Sequence, residues 1–397
     1  MKSTPLQRGI RGVAERLFLL ALGFGLALIL GEVLIRLAAP QPLSGFWTID
    51  TATGLRANKS SGQSRHQFGE RVVHYSFFPP HLRDTPVKDG AIHILTLGDS
   101  FTFGWLLDKE DTPVHHLQEL ADAEFGAGVF QFLNAGVGGW GAADYVAFVE
   151  EFGDLIRPNA VLVFLNTDDI GRSLRSRLYE FAGSDTQELI RRPAAVSRFK
   201  HMAKRTLGSQ FLLEHSHLAQ FVRFSAATLH RPASSRGVAG LTRNGGTPVP
   251  CSDAVGDPQA PILLGNALFL RLRNWCAARG TSLYVTTTGR HDPSPQGPTQ
   301  EPTRVFMAQA EEFFRGAPIP YCDISPAFFA LTEQERLTHS IEDDGHPSAC
   351  GSRFIAEQVW REFLLVQLTN YLQATRLGTS ASVGSRAASV LPAVAPD

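Results

Sequence analysis

The stretch LTLGDSFTFG, Leu95–Gly104, joins two patterns. It begins inside the apolar run IHILTLG, Ile92–Gly98, which has the length and composition of a strand buried on both faces. It then breaks into a polar turn that places Ser100 just past the strand's end. In open parallel sheets, ligands bind beyond the carboxyl ends of the strands. A serine at that position is placed to act as a nucleophile, provided that a base and a group orienting the base arrive from elsewhere.

The rest of the chain repeats the same rhythm. TPVHHLQELADAEF follows, with Thr112 as an N-cap and Pro113 at the first helical position. VFQFLN reads as a strand, AADYVAFVEEFGDLI as a helix and AVLVFLN (Ala160–Asn166) as a third apolar strand. Later come the helix ALFLRLRNWCAARG, closed by Gly280, and the strand SLYVTTT. The helix RVFMAQAEEFFRG, the strand PIPYCDI and the closing helix SRFIAEQVWREFLLVQLTNYL complete the series. Strands alternating with helices predict an α/β fold with a parallel sheet covered on both faces. Residues 39–90 lack helical periodicity and read as a β-rich lead-in of short strands and turns. Residues 171–257 interrupt the α/β unit with helical pieces and a Gly/Pro/Ser-rich loop at 232–257. The tail, 374–397, has the composition of a disordered segment.

The base and its orienter are supplied by DDGHPS, Asp343–Ser348, which also lies between a strand and a helix. Asp343 and His346 are three apart, so one turn brings the carboxylate beside the imidazole. Alone, a GDS or a DxxH is a weak signal. Together, at the first strand and before the last helix of one α/β unit, they are much stronger.

At these residues the chain resembles the SGNH, or GDSL-type, hydrolase family over about residues 91–373, apart from much of 171–257. GDSFTFG resembles the family's nucleophile block, NAGVGGWG (Asn134–Gly141) its glycine block and DDGHPSACG its Asp-His block. The resemblance implies a flavodoxin-like three-layer α/β/α sandwich. It also implies Ser100 as nucleophile, His346 as base and Asp343 as orienter. Gly139, and Ser100 itself, would give backbone N–H groups to the oxyanion hole. No metal or cofactor is implied.

One block departs from the family pattern of Gly-x-Asn-Asp after the third strand. Here the run is LNTDDI, so Asn166 takes the Gly position and Asp168 the position of the oxyanion-binding Asn. An ionised Asp cannot donate a hydrogen bond, and losing one oxyanion donor costs about 10²–10³ in rate. Asn166 as a substitute donor is the preferred expectation. A protonated Asp168 is the alternative rescue, and an Asp168 that only caps the next helix is the third reading.

Composition bounds the remaining classes. The 397-residue chain is 43% hydrophobic with a net charge of -1, which gives no global attraction to nucleic acid. The N-terminal run LFLLALGFGLALIL, Leu17–Leu30, is free of charge and follows Lys2, Arg8, Arg11 and Arg16. Its continuation to residue 38 is long enough to span a bilayer. The basic residues 1–16 then stay cytoplasmic and the catalytic domain is extracytoplasmic, in the periplasm. A cleaved signal peptide is the competing reading. In that compartment the four cysteines are free to form disulfides. The expected pairs are Cys322–Cys350 and Cys251–Cys276. Trp105 and Trp140 are candidates for an acyl or sugar platform or for core packing, and His291 for lining the cleft. Nine Lys/Arg against three Asp/Glu between Gly171 and Arg205 suggest a solvated face or contact with anionic lipid or glycan.

The expected function is a membrane-anchored serine esterase acting on acyl, including acetyl, esters of cell-envelope glycan or lipid. An O-acyltransferase using the same acyl-enzyme and a non-catalytic glycan-binding or assembly protein are the alternatives.

Overall fold

A computed structural model describes residues 5–182, 188–192, 207–229, 259–291, 301–342 and 344–375. The chain divides into two compact units. One comprises Met1–Pro86 with Arg192–Val255, the other Val87–Arg191 with Gly256–Asp397. The 171–257 insertion is therefore split: its first part belongs to the α/β unit and its second to the unit of the β-rich lead-in.

In the first unit, helix α1 (Pro5–Ala38) contains Ala14–Ala38, 25 residues of mean hydropathy 2.5 and long enough to cross a membrane. Five short strands follow: β1 (Thr48–Asp50), β2 (Arg56–Asn58), β3 (Gly62–Phe68), β4 (Arg71–Phe78) and β5 (Leu82–Arg83). All pair antiparallel, β1 with β2, and β4 with both β3 and β5. Alternate residues of β4 (Val73, Tyr75, Phe77) are buried, the period-2 pattern of a strand with one covered face.

The second unit opens with β6 (Ile92–Leu97), α2 (Ser100–Phe103), α3 (Pro113–Phe125) and β7 (Phe130–Asn134). Then come α4 (Ala142–Ile156), β8 (Ala160–Leu165), α5 (Asp169–Ser176) and the small hairpin β9 (Tyr179–Phe181) and β10 (Leu189–Arg191). The chain returns to the first unit for α6 (Leu207–His215) and α7 (His217–Leu229). It re-enters the second unit with α8 (Ala260–Ala277), β11 (Ser282–Thr287), α9 (Glu301–Gly316) and β12 (Tyr321–Cys322). Helices α10 (Ser325–Phe329), α11 (Glu333–Thr338) and α12 (Ala349–Val359) close it, the last continuing through a π-turn at Trp360–Leu364.

The parallel strands lie in the order β12-β11-β8-β6-β7. Counted by appearance this is 5-4-3-1-2, the flavodoxin-like arrangement, so the expected fold is found. Alternation along the strands builds two cores. Ile94, Phe132, Leu162, Phe164 and Tyr284 pack with Leu117, Ile355 and Phe363 on one face. Their neighbours Leu95, Leu97, Leu133, Val161 and Val163 are equally buried toward the other. There the helices meet at glycines: a Cβ at Gly153 of α4 would come within 2.3 Å of Trp275 of α8.

The expected cysteine pairing is not found. Cys322, Cys350 and Cys276 are free thiols, and Cys251 lies outside the described residues, as do the 232–257 loop and the tail beyond residue 375. Cys350, exposed in the first turn of α12, has its Sγ 3.8 Å from His339 Nε2, whereas Cys322 packs at the edge of the sheet core. Burial pushes the Cys276 thiol up to about 12 and that of Cys322 to about 11, the behaviour of packed thiols.

Candidate active site

The reversal of strand order falls between β6 and β8, and ligands of such sheets bind at that switch point beyond the carboxyl ends. Ser100 follows β6 and Asn166 follows β8. The turn after β6 is tight because Gly98 has no side chain: a Cβ there would meet Thr102 Oγ1 at 2.0 Å. Asp99 caps α2, its carboxylate accepting from Phe101 N–H at 2.9 Å. Gly104, at φ 80°, ends α2 with its N–H donating back to the Ser100 and Phe101 carbonyls. Ser100 is thereby fixed as the first residue of a one-turn helix and is 9% exposed.

The glycine block packs against this turn. Asn134 Nδ2 donates to the Thr102 carbonyl at 3.0 Å, and Gly136 has no room for a Cβ beside Phe103 N, 2.5 Å away. A Cβ at Gly138 would lie 3.9 Å from that of Ser100, which brings the Gly138–Gly139 turn alongside Ser100. Gly139 has φ 84°, a backbone state that favours glycine.

His346 arrives from the loop between α11 and α12. Its Nε2 and Ser100 Oγ are 2.7 Å apart, and its Nδ1 is 2.5 Å from an Asp344 carboxylate oxygen. The carboxylate in contact with the imidazole is that of Asp344; the expected Asp343 lies outside the described residues. The two-residue spacing works because the segment is a turn rather than a helix. Gly345 sits between the pair at φ 82°, and Asp344 and Gly345 N–H both donate to the Ile341 carbonyl. Burial raises the Asp344 carboxyl, but hydrogen bonds from His346 and Trp105 and the His346 charge outweigh it and leave it below the ordinary carboxylate range. Trp105 Nε1 donates to Asp344 Oδ2 at 3.4 Å, and its ring, 6% exposed, lies near the imidazole. Trp105 therefore walls the Asp344–His346 pair. Trp140, packed against Tyr145 and Phe148, belongs to the core.

Arg290, just past β11, is the residue that sequence reading missed in favour of its neighbour His291, which is partly buried. Its guanidinium donates to the His339 carbonyl (2.8 Å), the Gly345 carbonyl (3.0 Å) and Ser340 Oγ (3.0 Å). It also lies over the rings of Phe101 and Phe328. Burial alone lowers its pKa to about 10, and no carboxylate among the described residues pairs with it. The only sequence signal was its place at a strand's carboxyl end.

Beneath Ser100 is a buried charged network. Asp99 Oδ2 accepts from Asn166 Nδ2 and from Arg172, each at 2.8 Å. Asn166 Oδ1 accepts from Thr288 at 2.8 Å, and Asp169 accepts from Tyr145 Oη and Asn166 N, each at 2.7 Å. Burial opposes the Arg172 charge, but Asp99, Asp169 and Asp168 more than offset it and raise its pKa. Burial and the Asp99 charge push the Asp169 carboxyl well up. Asn166 therefore has one of its two amide hydrogens committed to Asp99 and at most one left for an oxyanion. Asp168 accepts from Arg175 at 2.6 Å and pairs with Arg172 at 3.2 Å. In both contacts Asp168 meets donors and serves as the acceptor. It occupies the N-cap position of α5 without a side-chain capping bond. These pairs, with Arg191 on Glu151, also absorb part of the basic excess noted in the sequence. Among the described residues no group of three or more His, Cys, Asp or Glu is arranged to hold a metal ion.

No protein-family model matches the chain, and no curated protein matches it. Solved structures with a similar chain path include the acetyl xylan esterase AlAXEase, 12% identical, TM-score 0.40, covering 69% of this chain and 100% of that one. Another is the psychrotrophic esterase EstA from Pseudoalteromonas sp., inhibited by monoethylphosphonate: 13% identical, TM-score 0.39, coverage 71% and 99%. A third is a catalytic mutant of an acetylxylan esterase from Geobacillus stearothermophilus, 13% identical, TM-score 0.37, coverage 68% and 93%.

Proposed function

We propose that this chain is a serine esterase of the SGNH type, using Ser100, His346 and Asp344 as its triad. The observation that carries the reading is the unbroken chain of short contacts from Ser100 Oγ through the imidazole to Asp344. Ser100 Oγ attacks the ester carbonyl carbon while His346 Nε2 takes its proton. The tetrahedral oxyanion is met by the backbone N–H groups of Ser100 and Gly139. Collapse breaks the ester bond, and His346 returns the proton to the leaving alcohol. Water then attacks the acyl-enzyme with the same histidine as base, and free acid leaves. Asp344 holds Nδ1–H and stabilises the imidazolium throughout.

The substrate class follows from the reading of α1 as an anchor, with its basic start cytoplasmic and the chain beyond residue 38 outside. An extracytoplasmic esterase on a membrane tether meets acyl or acetyl esters of envelope glycan and lipid. The test is hydrolysis of short-chain aryl esters and acetylated glycans, with labelling by a fluorophosphonate. Wild type turns over and labels; folded Ser100→Ala does neither. Hydrolysis by Ser100→Ala at the wild-type rate overturns the assignment.

A further inference from the structure

Helices α6 and α7 turn several polar side chains into the first unit and several large apolar ones outward, with Leu213 the buried apolar exception. On α6, Gln210 accepts from Phe46 N–H and Glu214 from Arg65 N–H. On α7, Gln220 is fully buried and donates to the Ser44 and Leu213 carbonyls, and Arg223 donates to the Ser44 carbonyl. Outward stand Phe211 (62% exposed), Leu212 (53%) and Val222 (58%), with Phe221 and Phe224 beside them. A water-facing helix pair has the opposite arrangement.

The corner joining these helices is fastened to α1. Glu32 accepts from Ser216 Oγ (2.8 Å), His217 N–H (3.0 Å) and Leu218 N–H (2.9 Å). Arg36 donates to the His215 carbonyl, and Leu218 packs against Gly31. A carboxylate in an apolar spanning helix is costly unless it is partnered, and the start of α7 supplies the partners. Glu32 lies sixteen residues beyond Arg16, or about 24 Å along the helix at 1.5 Å per residue. A hydrocarbon core is about 30 Å thick. The corner is thus held in the outer part of the span, about 6 Å short of its far boundary, and the outward apolar faces continue the lipid-facing surface of α1.

We propose that α6 and α7 lie in the membrane–water interface beside the anchor, with Phe211, Leu212, Phe221, Val222 and Phe224 among the lipid chains. This rests on the reading of α1 as a membrane anchor. The occupant is lipid because the apolar faces adjoin a surface that the bilayer itself covers, and because the polar side chains turn away from it.

The full chain, reconstituted in phosphatidylcholine vesicles doped with a diazirine-bearing phospholipid, is photolysed and its adducts are mapped by mass spectrometry. Adducts are expected on Leu17–Leu30 and on 207–229, the latter severalfold above those on α8, where Leu263 is exposed as a control. The variant Phe211→Ser/Leu212→Ser/Val222→Ser keeps the α1 adducts and loses those on 207–229, while its hydrolysis of a soluble aryl ester shows that it is folded. Adducts on α1 without any on 207–229 overturn the proposal and leave the anchor standing. Protein–protein cross-links through 207–229 in place of lipid adducts assign the face to a second copy and overturn it too. Absence of adducts on α1 fells the anchor reading itself.

Discussion

Ser100 and His346 face each other across 2.7 Å, but the structure under each differs. Below Ser100 lie Asp99, Arg172, Asp169 and Tyr145, all joined by side-chain contacts to one buried site. His346 stands on a loop that closes on itself through main-chain bonds: Ile341 N–H to the His346 carbonyl, Ser348 N–H to the His339 carbonyl. Arg290 then ties that loop from outside. A buried ionic network fails as a unit, because removing one charge leaves its partner unpaired. A loop held by many neutral bonds yields gradually. Damage on the nucleophile side should therefore appear as lost stability, and damage on the histidine side as lost turnover in a protein that remains folded.

The contact between the two sides is where the effect is largest. Ser100→Ala and His346→Ala should each lower kcat by roughly 10⁴-fold or more, and the double variant should lose little beyond either single one, since triad members act together. Strict additivity in that cycle would break the assignment. On the histidine side, Asp344→Asn should cost on the order of 10³–10⁴ in kcat, the scale of removing an orienting carboxylate. Asp343→Asn should stay close to wild type. The reverse ranking would return the role to Asp343.

The network side is tested by stability. Arg172→Met leaves Asp99 and Asp169 buried without their cation, and breaking such a pair costs about 3–5 kcal/mol. Urea unfolding of the full chain in detergent reads it. A loss below about 1 kcal/mol would show that the network is not a unit.

Much of this was legible in the sequence, and the misses share a cause. The strands and their parallel sheet were readable because short apolar runs alternate with helical patterns, while the flavodoxin-like arrangement came only from the family resemblance. Ser100 was expected past a strand end and lies there after β6, whereas His346, expected after a strand, stands instead between the two helices α11 and α12. The Asp344 contact was not readable, because DDGH offers two carboxylates and the turn at Gly345 that brings Asp344 to the imidazole is not a spacing pattern. Arg172 and Arg175, four and seven residues after Asp168, were within reach of local spacing. The Asn166 contacts to Asp99 and Thr288 span 67 and 122 residues and exist only once β6, β8 and β11 are adjacent. The division of the insertion had the same origin: α6 and α7 belong with strands more than a hundred residues upstream.

Arg290→Met sharpens the comparison from the loop side. It removes the donors to the His339 and Gly345 carbonyls and should lower kcat about 10- to 100-fold with little change in KM, the result of a misplaced base. Its cost in stability should be well below that of Arg172→Met. Arg290→Lys should recover only part of the rate, since one ammonium cannot reach three acceptors in a planar fork. Equal losses of stability in Arg290→Met and Arg172→Met would erase the distinction between the two sides.

The smallest effect is the pH dependence of the Asp344 link. Its carboxyl lies below the ordinary range in the folded protein, with the His346 and Trp105 hydrogen bonds outweighing burial. A group with a depressed folded pKa contributes stability above its unfolded value, about 3.9 for Asp. That contribution is lost as the pH falls through the folded value. The stability difference between wild type and Asp344→Asn should therefore shrink as the pH falls below about 4. Unfolding midpoints of the two proteins across that range read it. A difference that widens in acid would mean that the carboxylate is not held by His346, and the loop would lose its claim to be the oriented half of the site.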